Sequence, residues 1–353
     1  MDLQVLWFCL VGFFFAGYFL LEGFDFGVGL LLPFLPRNEE ERSVMFRTIG
    51  PVWDGNEVWL VVAGGAMFAA FPTWYATMFS GFYIALLLLL VFLIVRVVSF
   101  EWRERHEHSR WLGLWAWANT IGSLGAALIW GVAFSNLLYG VPINSSGDFD
   151  GSFWDLFSVY TILGGVAVVL LFAFHGATYL TLRTTGELCR RAAAAAGRLS
   201  IAAAVVGAAY LIWTVVVAVD RNDKDVFPPL LPALLAIVAL LAAVVCVRLA
   251  RSGWAFVLTA AGALLVVATI FTSLYPRVMV SSTDFANSLT IDNASSAHYT
   301  LAVMSVVALI VTPVILLYQG WTYHVFRARV GGAELPSAPA PAPAGEAGSS
   351  TAA

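Results

Sequence analysis

Nine long apolar stretches dominate this chain of 353 residues and leave only short connections between them. They cover residues 4–32, 52–71, 77–98, 113–138, 156–180, 197–219, 229–249, 254–275 and 298–324. A helix of about 20 residues spans the apolar core of a bilayer. Hydrophobic residues make up 60% of the chain and charged residues only 11%, which leaves too little polar surface for a soluble domain. We therefore predict an all-α integral membrane protein with nine transmembrane helices.

The basic residues are distributed unevenly between the connections. All but three of the 18 Lys and Arg residues follow an odd-numbered span, and the exceptions are Arg221, Lys224 and Arg277. Short cytoplasmic connections carry the excess of basic residues in multi-pass proteins. The pattern therefore predicts an N-terminus outside and a C-terminus in the cytoplasm.

The composition also divides the chain into two parts. Residues 1–329 form the predicted membrane domain, and residues 330–353, rich in Pro and Ala, form a predicted disordered cytoplasmic tail. The sequence has no P-loop or Rossmann glycine pattern, and its three cysteines have no metal-binding spacing. A nucleotide site, a metal site and a nucleic-acid partner are not expected.

Three carboxylates stand in or at the start of apolar spans. Asp25 lies within the first span, and Asp54 and Glu57 open the second. A charged side chain at bilayer depth costs about 2.5–3.5 kcal/mol on insertion scales, so such residues indicate ion or proton handling. The alternative is that these acids pair with a buried arginine or cap a helix.

The predicted orientation places these acids at one level of the membrane. Asp25 lies near the cytoplasmic end of its span, Asp54 and Glu57 begin theirs on that side, and Arg96 ends the third span there. His175 belongs to the fifth span, which also runs towards the cytoplasm. Titratable groups that are linked by short hops or by water can carry protons. We expect these five residues to line a proton path.

The histidines limit the cofactors that the chain can bind. Of five histidines, only His175 lies inside a span. A haem with two histidine ligands, or a copper site with several imidazoles, cannot be built from one deep histidine. His175 could still be a single axial ligand, a relay or a packing residue.

Several segments together are similar to one known family. They are residues 20–29, 50–66, 175–188, 275–291 and 316–321. In this order they resemble subunit II of the cytochrome bd-type terminal quinol oxidases, and the resemblance covers residues 1 to 329. The tail is outside it.

The resemblance implies a function and a set of partners. In this family a complex reduces dioxygen to water with electrons from membrane quinol, takes protons from the cytoplasm and generates a membrane potential. Subunit I carries haem b and haem d, whereas subunit II binds none, supports assembly and lines proton access and, in some members, oxygen access. The resemblance also implies two four-helix bundles plus one peripheral helix, a bacterial plasma membrane, a structural quinone or lipid, and small single-helix accessory subunits.

The resemblance further implies roles for individual residues. Asp54 matches the position of proton uptake, with Asp25 as its companion, and Trp59 matches the mouth of the oxygen route. Trp59 lies one turn after Gly55, and its indole beside that glycine could line a gas passage or simply pack. The motif residues expected to be structural are Gly23, Trp53, Gly55 and Asn56.

Two other functions fit the membrane acids. A proton-coupled transporter would bind its substrate at such acids, although here they occur only in the first half of the chain and at one level. A purely structural assembly partner would hold the acids in buried ion pairs.

Overall fold

The computed structural model describes residues 2–331, which are almost entirely helical. The helices are α1 (Leu3–Leu31), α2 (Glu39–Ile49), α3 (Trp53–Ala70), α4 (Pro72–Gly81), α5 (Tyr83–Arg103), α6 (Ser109–Tyr139), α7 (Val159–Arg183), α8 (Gly186–Asn222), α9 (Phe227–Arg248), α10 (Ser252–Leu274) and α11 (His298–Val325). Two strands, β1 (Arg277–Met279) and β2 (Leu289–Thr290), pair antiparallel between α10 and α11. Of the predicted tail, residues 332–353 lie outside the described part of the chain.

The predicted class of all-α membrane protein is confirmed. Within residues 2–331, eight helices are long and apolar enough to cross a membrane, and the pair α3 and α4 raises the number to nine if it counts as one span. The orientation of the termini and the grouping into two four-helix bundles stay predictions.

Helix α3 agrees with the second predicted span, residues 52–71, but the chain continues into a short helix, α4, that was not predicted. α3 ends at Ala70, and α4 begins at Pro72 with its axis turned by 120°. Proline has no N–H to donate, and its ring disfavours the helical conformation of the residue before it, so Phe71 leaves the helix. The third span consequently begins at Tyr83 instead of residue 77.

An additional helix, α2, lies in the connection after α1. Asn38 caps it by accepting a hydrogen bond from the N–H of Glu41, and three glutamates in its first turn suit the positive end of the helix dipole. We call the end of the molecule that holds α2 and the α5–α6 and α7–α8 connections the arginine-rich end.

Helix α1 lies at the centre of the molecule and packs against α3, α6, α7 and α10. Gly27 lets α7 approach closely, since a Cβ there would lie 1.9 Å from the carbonyl oxygen of Phe172 and 2.7 Å from the backbone nitrogen of Gly176. Gly23 has a similar role, because its Cβ would lie 2.7 Å from the Phe172 ring. These glycines place the polar face of α1 deep inside the helices.

Helix α11 is at the edge of the molecule, and only Leu301 and Gln319 in it are buried. Near its start, the Trp7 indole N–H donates to the Leu301 carbonyl at 3.1 Å. After its end, Arg183 donates to the Ala328 carbonyl and the N–H of Val330 donates back to the Arg183 carbonyl. Polar contacts near both ends therefore hold this weakly packed helix.

Candidate functional site

Asp25 and Asn56 join three helices through one amide group. Asp25 is completely buried, and the Asn56 Nδ2 donates to its Oδ2 at 2.6 Å. The Asn56 Oδ1 accepts hydrogen bonds from Gln319 Nε2 at 2.9 Å and from the Tyr323 hydroxyl at 2.6 Å, both on α11. The amide of Asn56 therefore links α1, α3 and α11 around the Asp25 carboxylate.

Arg96 lies between two further carboxylates. Its Nη1 is 2.5 Å from Glu22 Oε1 and 3.2 Å from Glu57 Oε2, and both Arg96 and Glu22 are completely buried. Aromatic rings face the guanidinium, with its Cζ 4.8 Å from the Phe26 ring centre and 5.6 Å from that of Phe100. We call Glu22, Asp25, Asn56, Glu57 and Arg96 the acid–arginine cluster.

The cluster brings together three of the five residues predicted for the proton path: Asp25, Glu57 and Arg96. Glu22 was not among the predicted site residues. Its sequence signal was the same as that of Asp54 and Glu57, two acids three residues apart on one helix face, here Glu22 and Asp25.

Several polar atoms in and beside the cluster form no aligned hydrogen bond with a residue in the range 2–331. They are Asp25 Oδ1, Glu22 Oε2, Arg96 Nε, Arg96 Nη2, Tyr18 OH and Trp130 Nε1. A buried polar atom without a partner costs about 1–3 kcal/mol. Such a concentration in one place is unusual for a purely structural core.

Asp54 lies apart from the cluster, on the outside of α3. It is exposed in the first turn of α3 and lines a groove of about 770 Å³ between α1, α3 and α11. Gln319, which bonds Asn56, lines the same groove. Asp54 and Glu57 are only three residues apart on α3, but Glu57 is turned to Arg96 and Asp54 to the groove.

His175 occupies the opposite side of α1 from Arg96. Its Nδ1 is 2.7 Å from Thr259 Oγ1 on α10, its Nε2 is 3.2 Å from the Leu20 carbonyl oxygen, and its ring stacks on Phe256 at 4.7 Å. Because both ring nitrogens are bonded within the protein, His175 does not fit an axial haem ligand. Within residues 2–331, no group of three or more His, Cys, Asp or Glu side chains is placed to hold a metal ion.

Trp59 packs in a notch of α1, at Gly17 and not at Gly55. A Cβ at Gly17 would lie 2.2 Å from the Trp59 ring, whereas a Cβ at Gly55 would meet Gln319 at an ordinary 3.5 Å. Trp59 is buried and also lines the groove beside α11. Trp53 stacks flat on Phe100, with the ring centres 5.1 Å apart.

Helix α2 covers the arginine-rich end with ion pairs. Arg103 at the end of α5 bonds Glu39 at 3.1 Å, and Arg191 in α8 pairs with Glu41 at 2.5 Å. The hydrogen bond and charge of Arg191 hold the pKa of Glu41 below its usual value. The Tyr179 hydroxyl donates to the Thr48 carbonyl at 2.7 Å, so α7 is also tied to α2.

Comparison with known proteins agrees with the predicted family. The family described as cytochrome bd terminal oxidase subunit II matches residues 3–326. Cytochrome bd ubiquinol oxidase subunit 2 of Bacillus subtilis (strain 168) is 44% identical over 336 residues, which cover 93% of this chain and 97% of that protein. Cytochrome bd-I ubiquinol oxidase subunit 2 of Escherichia coli (strain K12) is 38% identical over 360 residues, covering 93% of this chain and 95% of that protein.

A solved structure shows the same fold. The bd oxidase from Geobacillus thermodenitrificans contains a chain that superposes with a TM-score of 0.62 at 17% identity, covering 92% of this chain and 99% of that chain. A subunit 2 of a bd oxidase, as the curated relatives are named, implies a partner subunit I. This chain belongs to the cytochrome bd terminal oxidase subunit II family and is one subunit of a terminal quinol oxidase in the bacterial plasma membrane.

Proposed function

We propose that this subunit takes protons from the cytoplasm through the acid–arginine cluster and delivers them towards the haem-bearing partner subunit. The arginine-rich end then faces the cytoplasm, which agrees with the distribution of Lys and Arg residues along the sequence. In this orientation the cluster lies where protons would enter the membrane.

The observation that carries this proposal is the excess of carboxyl groups over cations in a buried place. Glu22, Asp25 and Glu57 face one arginine, Arg96. A buried carboxylate without a cation is unfavourable, whereas a protonated one is not. A cluster with more acids than arginines can therefore bind and release a proton without losing its structure.

Asp54 is the exposed carboxylate that accepts protons at the start of this proton route. Its carboxylate stands at the groove beside α11, two residues before Asn56, which bonds the buried Asp25. We propose that protons pass from Asp54 to Asp25 with the help of water in the groove. His175 bonds Thr259 and Leu20 on another side of α1, so we give it a packing role in this route.

The remaining partners follow from the family. We propose that the chain binds no haem and that its partner carries haem b and haem d, because His175 is already bonded on both nitrogens. Membrane quinol, a structural quinone or lipid, and small accessory subunits stay predictions. The packing of Trp59 against Gly17 favours a structural role for this residue over an oxygen route.

A structural role of the cluster is the second candidate, since Asn56 alone ties three helices together. A transporter function is set aside by the family assignment. Proton uptake and a purely structural role predict different turnover when one titratable carboxyl group of the cluster is replaced.

Asp25→Asn in the assembled oxidase separates them, because the amide keeps the shape of the carboxylate and cannot titrate. We expect oxygen consumption with quinol to fall while the haem absorption spectrum of the complex stays unchanged. Asp148→Asn, at an exposed carboxylate in the α6–α7 connection, is the matched control. Normal turnover in Asp25→Asn would leave only the structural role.

A further inference from the structure

The side-chain amide of Asn56 uses its full capacity for hydrogen bonds. Its Nδ2 donates to Asp25 Oδ2 at 2.6 Å and to the Leu21 carbonyl oxygen at 3.4 Å. Its Oδ1 accepts from Gln319 Nε2 at 2.9 Å and from the Tyr323 hydroxyl at 2.6 Å. An amide side chain has two N–H donors and an oxygen with two lone pairs, so all four positions are occupied.

These partners fix the direction in which the amide points. A backbone carbonyl such as that of Leu21 can only accept, so the end of the Asn56 amide that faces it is the nitrogen. A rotation of the amide by half a turn would place its oxygen against the Leu21 carbonyl oxygen. In the observed orientation Asn56 can only donate to Asp25, and a donated hydrogen bond favours the ionised form of a carboxyl group.

The two donors on α11 also strengthen the bond from Asn56 to Asp25. Hydrogen bonds that follow one another in a chain polarise each other, and each becomes stronger as a result. Gln319 is one of the two buried residues of α11, and the Tyr323 ring packs edge-on against Phe24 with the ring centres 6.2 Å apart. Packing therefore holds both donors where they reach Asn56.

We propose that Gln319 and Tyr323 are positioning residues, which hold Asn56 as a donor to Asp25 and so help Asp25 to release its proton. The acceptor is Glu22, whose carboxyl group is in side-chain hydrogen-bond contact with that of Asp25. In this step the O–H bond on Asp25 breaks and one forms on Glu22, so no other reactant is needed. The transfer rests on the proposed function, whereas the orientation of the amide does not.

Other side chains around Asp25 contribute to its electrostatic environment. Those that are charged stay the same when Gln319 or Tyr323 is replaced, so a change in the titration of Asp25 reports the hydrogen bond from Asn56. The titratable or charged groups that face Asp25 are Glu22 on α1, Glu57 on α3, Arg96 on α5, Tyr179 on α7 and Tyr323 on α11.

Infrared titration of the complete oxidase tests the positioning of Asp25. The band of a protonated carboxyl group that Asp25→Asn removes belongs to Asp25, and the pH at which this band disappears shows where Asp25 ionises. Tyr323→Phe removes one donor to Asn56 and keeps the ring, so we expect this pH to rise by roughly half a unit, the effect of part of one hydrogen bond. Tyr299→Phe, at an exposed tyrosine near the start of α11, is the matched control and should leave it unchanged.

Gln319→Met is the second variant, and it decides the question if Tyr323→Phe does not assemble. It removes the other donor to Asn56 at a similar side-chain length and should raise the pH of ionisation in the same direction. A purely structural role of the two residues would lower the melting temperature of the complex and leave the infrared titration as in the native oxidase. That result overturns the inference.

Proton uptake in vesicles separates this inference from the proposed function. We expect Tyr323→Phe to slow uptake about threefold, the factor that corresponds to half a pH unit, and Tyr299→Phe to leave it unchanged. Native uptake in Tyr323→Phe, where Asp25→Asn is slow, overturns the claim that the amide helps proton release. Native uptake in Asp25→Asn itself contradicts the proposed route, and the infrared shift would then still support the positioning of Asp25.

Discussion

Two of the groups of polar residues buried between the helices differ in how they are bonded, one around Arg96 and one around Tyr210. In the second, which we call the tyrosine network, the Tyr210 hydroxyl bonds Ser135 at 2.8 Å and the Tyr160 hydroxyl bonds Thr214 at 3.0 Å. All its members are neutral, and each hydroxyl has a protein partner. The acid–arginine cluster contains charged groups and several polar atoms that form no aligned hydrogen bond with a residue in the range 2–331.

This difference in charge and hydrogen bonding separates residues that hold the helices together from residues that can take part in proton transfer. A fully paired neutral network fixes the packing of α6, α7 and α8 and has no proton to exchange at ordinary pH. A cluster with surplus carboxyl groups and unpaired atoms is costly to bury, and such costs are usual at functional sites. We therefore expect substitutions in the network to change stability alone, and substitutions in the cluster to change turnover as well.

The largest effect is expected for Arg96→Met. This change leaves Glu22 and Glu57 beside each other without a cation, and breaking a buried ion pair from one side costs about 3–5 kcal/mol. We expect a loss of thermal stability and of assembly with the partner subunit. Arg248→Met, at an exposed arginine, is the control and should stay within about 0.5 kcal/mol of the native stability. Equal stability of the two variants would contradict the ion pairing.

The second largest loss of stability is expected for Gly27→Ala. The new methyl group would collide with the backbone of α7 at Phe172, which cannot move as a side chain would, and overpacking of this kind costs about 1–3 kcal/mol. Gly64→Ala is the control, because no atom lies within 4 Å of its Cβ position. Thermal unfolding of the purified complex compares the two. If both variants melt alike, α1 and α7 are not as close as described.

Tyr210→Phe tests the tyrosine network, the second of the two buried groups. It removes one hydrogen bond to Ser135 and should lower the stability by about 1 kcal/mol, without an effect on oxygen consumption. Paired melting and turnover measurements of this variant are needed. A clear fall in turnover at unchanged haem content would show that the tyrosine network contributes to turnover and does not only stabilise the helix packing.

The smallest effect is expected at α2. Because Arg191 lowers the pKa of Glu41 in the folded protein from its ordinary value of 4.5, the ion pair stabilises the fold above that pH, and its contribution is lost as the pH falls through the lowered pKa. The pair is partly exposed, so the contribution is below about 1 kcal/mol. In Glu41→Gln the acid side of the stability profile should be flatter. An identical profile would mean that the pair does not stabilise α2.

Much of the fold could be predicted from the sequence because hydrophobic length and the positions of Arg residues are local signals. They correctly placed most of the helices and brought Asp25, Glu57 and Arg96 to one level. The second predicted span ends at residue 71, beside the break at Pro72, but the sequence did not indicate that α4 turns by 120° and that the third span begins only at Tyr83.

The details of the site depend on helix rotation and on distant contacts, which a single sequence does not contain. His175 and Arg96 were expected on one path, but they lie on different sides of α1 because the rotation of α7 and α5 about their axes is set by packing. Gln319 and Tyr323 reach Asn56 across more than 260 residues of chain, and no local pattern marks them.

The rate of proton uptake from the cytoplasmic side tests the central claim most directly. It should be measured in vesicles containing the complete oxidase, with Asp25→Asn and Tyr210→Phe compared at equal haem content. The account predicts slow uptake in Asp25→Asn and a native rate in Tyr210→Phe. Native rates in both variants, or slow uptake in both, would contradict the division between a proton-handling cluster and a structural network.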